Sequence, residues 1–309
     1  LLGAITVALA SAIIFGAIEA LPGDACIAVL QRDAVGQRLE NCRRELGLDR
    51  PALTRYAGWA AGALRGDLGV SAGSGKPIAI LLGERFRNTL LLAGCTLGVG
   101  IPLALLLGVL TGLRRDGVLD ILLSTGGILA MTIPEFVSAT ILIFIFSIGL
   151  GWVPGIVLAA PSAPVGDFFP GIVLPVAVLT MVMTAHILRT VRSSVIEVMA
   201  SDFVRMATLK GVPRARIVWR HAMPSALLPA INVIALTIAW LLGGVVVVEK
   251  VFNYPGLGRF MIDSITERDL PVVQALALLV AGVYVAINLT ADLLALALDP
   301  RLRAHRVRG

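Results

Sequence analysis

Charge is scarce in this chain. Asp, Glu, Lys and Arg together make up 15% of its 309 residues, against roughly 25% in an ordinary soluble domain. Histidine is scarcer still. His186, His221 and His305 stand far apart and share no ligand spacing with Cys or Asp, so a metal centre is not expected. The 3 cysteines are too few for a disulfide-built scaffold. The sequence has no phosphate-cradling G-x-x-x-x-G-K-[ST] loop and no G-x-S-x-G nucleophile elbow. Neither a catalytic residue nor a cofactor site is therefore assigned to it. No run alternates polar and apolar residues over ten positions, which argues against a membrane β-barrel. Internal repeats and low-complexity tracts are also missing.

What the chain has is apolar length. Hydrophobic residues make up 57% and the mean hydropathy is +0.90. The net charge of +6 would suit a nucleic-acid binder. Much of it, however, lies in short segments between apolar runs, where a membrane protein keeps its cytoplasmic charge. Nucleic acid is not an expected partner. Six runs reach the ~20 residues that a bilayer core requires: 1–20, 88–111, 119–149, 171–189, 226–248 and 272–298. They predict an all-α integral membrane protein of six transmembrane helices, with membrane lipid around it. The third run is long and contains Pro134, so a kink or tilt is expected there. The chain opens on Leu, which points to a start further upstream. Residues 1–20 read as a first membrane helix and not as a cleaved leader.

Basic residues set the orientation. With both termini cytoplasmic, the inner segments hold Arg114 and Arg115, the group from Arg189 to Arg220, and Arg301 to Arg308. Loop 150–170 then lies outside and has no basic residue. Segment 21–87 becomes a long extracytoplasmic insert in a single membrane domain covering 1–309. Within it, Leu53, Tyr56, Ala57, Ala60 and Leu64 recur at helical spacing and predict a short amphipathic helix, either a cap on the bundle or a gating element. Cys26 and Cys42 fall in the same insert, either bridged or as two thiols. The outer stretch 249–271 breaks at Pro255 and Gly256. Leu257, Phe260, Met261 and Ile265 then share one face of a short surface helix.

Ionisable groups inside spans are costly and therefore informative. Glu135 follows Pro134 in the third run. It either lines a polar pathway or fixes packing around the kink. Asn288 and Asp292 share a face of the sixth run and suit packing or anchoring at the inner surface.

The densest information lies in residues 202–229, DFVRMATLKGVPRARIVWRHAMPSALLP. A helix runs from Asp202 through Lys210. Gly211 suits the position just past its end, Val212 precedes a proline and is extended, and Pro213 suits the first turn of a second helix. That helix runs to about Met223, before Pro224. The positive-inside rule accounts for the charges here. It does not account for the Gly-x-Pro break or for the apolar Val212, Ile217, Val218 and Trp219. A short apolar helix with a basic rim reads as a docking surface.

These residues resemble the membrane subunit of binding-protein-dependent ABC importers of the peptide/nickel type. That family carries a cytoplasmic loop of pattern E-A-A-x3-G-x9-I-x-L-P. Gly211 and Pro224 match at the family's separation and Ala207 matches the second alanine, whereas Arg205, Met206, His221 and Met223 depart. D-F-V-R-x-A-x-x-K-G followed by R-H-A is similar to the peptide branch. Weaker landmarks fall in the family's order: L-P-G-D (21–24), E-L-G-L-D-R-P (45–51), G-D-L-G-V-S (66–71), N-T-L (88–90), I-P-E-F (133–136), V-E-K-V-F-N-Y-P-G-L-G (248–258), R-D-L-P (268–271) and D-P-R (299–301).

The resemblance implies a permease in a bacterial inner membrane that forms half of a translocation pathway. It implies a second homologous permease, two cytoplasmic ATPase subunits that bind ATP and Mg, and an extracytoplasmic solute-binding protein. Loop 190–225 would be the coupling loop, with Gly211, Pro213, Arg214, Ala215, Trp219 and Pro224 as its contact residues. Peptides are the expected solute; nickel, glutathione and other small solutes occur on similar permeases. An ATP-independent secondary transporter is the rival class, and it often shows inverted repeats that this sequence does not.

Overall fold

In lipid every backbone polar group needs a partner within the chain, and a helix supplies one. The computed structural model describes residues 2–20, 26, 35–45 and 47–298. Among them there is no strand, only an isolated bridge between Val70 and Pro77. The helices are α1 (Leu2–Glu19), α2 (Gly36–Glu45), α3 (Ala52–Leu64), α4 (Ile78–Leu113), α5 (Val118–Thr132), α6 (Glu135–Leu142), α7 (Val173–Met199), α8 (Asp202–Leu209), α9 (Arg214–Ala226), α10 (Leu228–Val251), α11 (Leu257–Thr266) and α12 (Leu270–Leu298). Among the described residues, α1, α4, α7 and the Leu270–Thr290 part of α12 are each long and apolar enough to cross a membrane. Two bent pairs raise the number to as many as six.

The third span is broken, not merely kinked. α5 and the stretch Glu135–Gly149 meet at 110°. Ile133 is extended, as a residue before proline prefers, and Pro134 has no N–H to continue the ladder. Beyond α6 the chain widens into a π-helical turn, Ile143–Gly149. Two other spans overrun their apolar runs. α4 begins at Ile78, so the insert gives its last ten residues to a helix. α7 continues to Met199, taking the first part of the expected loop 190–225.

α4 and α7 form the centre of the bundle. Gly100, Ala104, Gly108 and Gly112 recur every fourth residue and make one small-residue stripe. An added Cβ would lie 1.9 Å from Met183 Cε at Gly100, and 2.7 Å from Cβ of Val191 and of Val195 at Gly108 and Gly112. Small residues let the backbones approach, which is how helices associate where lipid removes the hydrophobic drive. Met183, Ile187, Val191 and Val195 fill the facing stripe and are buried with Ile217, Val218 and Ala222 of α9. A second cluster joins Leu92, Phe168, Leu179, Val248 and Tyr254. A third joins Ile78, Leu82, Leu257, Val272 and Leu276.

α1 runs along α12, and α3 lies on α1. The Ser11 and Tyr56 hydroxyls are 2.8 Å apart, the Phe15 and Tyr56 rings are 5.4 Å apart, and Arg55 pairs with Glu19. This anchorage rotates α3 from the expected face. Tyr56, Trp59, Ala60 and Ala63 turn inward, while Leu53 and Leu64 are exposed. On α12, Asn288 donates to its own helix at Tyr284 O, 2.9 Å away. The side chains of Asp292 and Cys42 lie outside the described residues; Cys26 is buried.

Candidate functional site: the Gly211 turn, the polar mid-span and the Glu249 lock

The turn after α8 is built by its own backbone. Gly211 has φ +73°. Its N–H donates to Thr208 O at 3.0 Å and the Val212 N–H donates to Ala207 O at 3.2 Å. This pair of bonds is the Schellman closure of a helix end, which calls for a left-handed residue at that position. Val212 and Ala207 then pack against the core of α7 and α9 side chains around Val191. Pro213 is the N-cap of α9, one residue earlier than the first-turn position expected. α9 also does not stop before Pro224. It passes through a π-helical turn at Ile217–Ala222 and continues over Met223–Ala226. The wide turn shifts the carbonyls that a proline ring would otherwise meet.

The turn divides the apolar residues of this region. Ile217 and Val218 are 3% and 6% exposed and belong to the core, not to a free surface. Trp219 is 68% exposed. Phe203, Met206 and Leu209 of α8 are exposed as well. Arg214, Ala215 and Arg216 are exposed at the start of α9, and Pro224 is exposed near its end. A cavity of 960 Å³ between α8 and α9 has Arg205, Met206, Leu209, Val212 and Arg214 in its wall.

Glu135 opens α6 directly after the break, half-buried. Its Oε2, Ser138 Oγ, Thr180 Oγ1 and Thr184 Oγ1 are buried without a hydrogen-bond partner among the described residues. Thr180 and Thr184 line a cavity of 570 Å³ between α4, α5 and α7; Glu135 is not in its wall. Other helix threonines, such as Thr96 and Thr237, bond back to the carbonyl four residues earlier. Nearer the α4–α5 connection, Arg192 grips the buried Asp120 through two bonds of 2.5 and 2.7 Å.

The opposite end holds a lock that sequence reasoning missed. Glu249, at the end of α10, is fully buried. Its Oε2 accepts from the N–H groups of Gly258 and Arg259 at 2.7 and 3.1 Å, in the first turn of α11. Its Oε1 accepts from Thr89 Oγ1 at 2.7 Å, and that hydroxyl accepts from Leu257 N–H at 2.9 Å. A carboxylate at a helix N-terminus satisfies amides that the helix itself leaves unpaired. Gly256 is required by space: an added Cβ would lie 2.0 Å from Glu249 Oε1.

Around this core, the Tyr254 hydroxyl donates to Asn88 O at 2.7 Å, and Asn88 Nδ2 donates to Pro161 O and Pro255 O. Burial, and then the Glu249 carboxylate, push the Tyr254 phenol well above its ordinary pKa, which keeps it a neutral donor. A second clasp lies on Asp269. It accepts from Ser71 Oγ at 2.6 Å and from the Ala72 and Gly73 N–H groups. The stretches N-T-L and V-E-K-V-F-N-Y-P-G-L-G are thus one structure, and so are G-D-L-G-V-S and R-D-L-P. On α11, Leu257 is buried and Phe260 and Met261 pack inward, but Ile265 is exposed.

The sequence model of the binding-protein-dependent transport system inner membrane component matches residues 100–304. A probable peptide ABC transporter permease protein of Sinorhizobium fredii is 35% identical over 290 residues, covering 94% of this chain and 93% of the relative. Glutathione transport system permease proteins of Escherichia coli and Pectobacterium atrosepticum are each 34% identical over 304 residues, covering 98% of this chain and 97% of theirs. These matches run through the Gly211 turn, the broken span and the Glu249 lock alike, and they carry one conclusion: the chain belongs to the family of binding-protein-dependent transport system inner membrane components, as a permease subunit of an ABC importer.

Proposed function

We propose that this permease forms half of the pathway for a peptide or similar small solute, and that α8, Gly211 and α9 dock on a partner ATPase. The observation that carries the docking is the α8–α9 turn. It presents Trp219, Leu209 and Met206 outward in the company of Arg205, Lys210, Arg214, Arg216 and Arg220. Such a surface suits a protein partner better than lipid. Trp219 is the anchor, since buried aromatic residues dominate interface energetics, and Arg214 and Ala215 lie at the rim. The mid-span hydroxyls and Glu135 supply polar contacts to the solute. The relatives' names support a peptide: one is a probable peptide permease and the others carry glutathione, itself a short peptide.

In this reading a second permease completes the pathway, two ATPase subunits hold ATP and Mg, and both termini are cytoplasmic. Partner closure biases the helices between two states. Co-purification tests the docking. Trp219→Ala should weaken ATPase association by about 2 kcal/mol, the usual hot-spot threshold. Arg214→Ala should have a milder, salt-sensitive effect. Normal assembly in both variants would reduce the turn to a topological device. In a cysteine-free background, Ser162→Cys should react with an impermeant thiol reagent on intact cells and Ala215→Cys should not. The reverse pattern would overturn the orientation.

A further inference from the structure

The seam between α1 and α12 is charged at one end and apolar along the rest. Where α1 finishes and α12 begins, a cavity of 440 Å³ is lined by two carboxylates, Glu19 and Asp49, and two guanidinium groups, Arg43 and Arg55. Glu19 and Arg55 pair with each other. Gln274 lines the same cavity. It is 8% exposed, and its Nε2 meets no acceptor among the described residues. Buried amide donors are nearly always paired, so this one marks a place where an acceptor is due.

Next along the seam, between the same two helices and covered by α3, lies a cavity of 930 Å³. It extends from Ser11 to Leu2 on α1 and from Leu278 to Leu289 on α12. At about 1.5 Å per residue these stretches are roughly 14 and 16 Å long, close to half of a hydrocarbon core of about 30 Å. Its wall is apolar apart from the Ser11 and Tyr56 hydroxyls, which bond each other, and the Trp59 indole.

We infer that this seam is a binding site for one phospholipid with a zwitterionic head group. The head occupies the charged cavity and an acyl chain lies in the groove beneath α3. Two acids balanced by two bases suit an ammonium and a phosphate together, and they disfavour a purely anionic head. The phosphate supplies the acceptor that Gln274 Nε2 lacks. A polar solute in transit finds no partners along the groove, whereas an acyl chain needs none. At about 1.5 Å per residue the groove starts roughly 6–12 Å along the two helices from Gln274 and Glu19 and ends roughly 22–26 Å from them, so an acyl chain whose head is held in the charged cavity enters the groove and runs along it past the bilayer midplane.

Photolabelling tests the assignment. The full chain is reconstituted in phosphatidylglycerol vesicles with a trace of photoactivatable phosphatidylethanolamine, or of photoactivatable phosphatidylglycerol as comparator. Phosphatidylethanolamine should label α1 and α12 peptides, in clear excess over the comparator. Gln274→Leu removes the head-group donor. Gly282→Leu fills the groove, because an added Cβ at Gly282 meets nothing within 4 Å. Gln274→Leu should lower labelling about tenfold, as the loss of a hydrogen bond to a charged acceptor does, and Gly282→Leu should lower it by excluding the acyl chain. Gly94→Leu, at an equally open glycine away from the seam, should label as the unaltered protein does. Equal labelling by both lipids, or unchanged labelling in Gly282→Leu, would leave only lipids of the general annulus. Competition by soluble glycerophosphoethanolamine as strong as by the intact lipid would also overturn the proposal, since the groove would then contribute nothing.

Discussion

Substitution of Gly211 separates backbone geometry from contact. The residue sits at φ +73°, yet an added Cβ there meets no atom within 4 Å. Space is not the constraint, so any loss comes from conformation alone. A left-handed residue with a side chain costs about 1–2 kcal/mol, less for Asn and more for a β-branched residue. Two backbone bonds depend on the turn, from Gly211 and Val212 to Thr208 and Ala207. Val212 must also keep its place against the core. The expected order of damage is therefore Gly211→Asn mild, Gly211→Ala about 1 kcal/mol, and Gly211→Val about 2 kcal/mol or more.

A shift of about 1.4 kcal/mol is tenfold in the population of correctly turned loops. If the turn presents Trp219 and Leu209 to an ATPase, that population limits docking. The assay is ATP hydrolysis by the assembled transporter with and without solute-loaded binding protein. Stimulation should fall in the same order as the conformational cost, while basal hydrolysis by the ATPase subunits stays. Full stimulation in Gly211→Val would refute the reasoning. So would an Asn variant as damaged as the Val variant, because steric contact and not φ would then be in control.

Three further outcomes can be checked. Glu249→Leu orphans the donors of Thr89, Gly258 and Arg259, at about 1–3 kcal/mol for each buried donor left unmet. The melting temperature of the purified protein should drop, and hydrogen exchange at Gly258 and Arg259 should accelerate; unchanged exchange at those amides would contradict the lock. Glu135→Gln should change solute uptake by up to about tenfold, the worth of a hydrogen bond to a charged group, with assembly and basal hydrolysis intact; normal uptake or failed assembly removes Glu135 from the pathway. If Cys26 and Cys42 are bridged, the closed loop of about 17 residues is worth roughly 3 kcal/mol in the chain-entropy model; two free thiols in non-reduced peptide masses would exclude the bridge.

The spans were legible because about 20 apolar residues in a row have few other solutions. Their ends were less so. Glu84, Arg85 and Arg87 precede the second apolar run, yet they are helical. Arg85 lies over the Phe260 ring at 3.8 Å, and Arg87 donates to the carbonyls of Pro161 and Ala163. Charge at that end of α4 has partners that only the folded chain provides. The turn at Gly211 was legible for the opposite reason, since its geometry is set by three adjacent residues. Which side chains face outward was not. Val218 and Trp219 are neighbours, one buried and one exposed, and the π-helical turn through Ile217–Ala222 shifts the helical phase that a periodicity argument assumes.

The Glu249 lock shows where a lone sequence stops. Glu249 stands at the end of an apolar run and reads as a span-ending charge, with Lys250 beside it. What makes it structural is Thr89, 160 positions away, and the turn at Tyr254–Gly256 that brings the amides of Gly258 and Arg259 back onto its carboxylate. Each motif taken alone is ambiguous: N-T-L is three ordinary residues, and Pro-Gly marks a turn without saying what the turn surrounds. The one local hint is Gly256 and Gly258 flanking Leu257, two glycines where a single one would allow a turn. Both are needed for closeness: a Cβ would meet the Glu249 carboxylate at the first and the Val246 Cα at 2.5 Å at the second. A glycine pair beside an acidic residue at the end of an apolar helix is thus a sign that the chain folds back onto that acid, and the buried carboxyl group of Glu249 is tolerated because three donors converge on it.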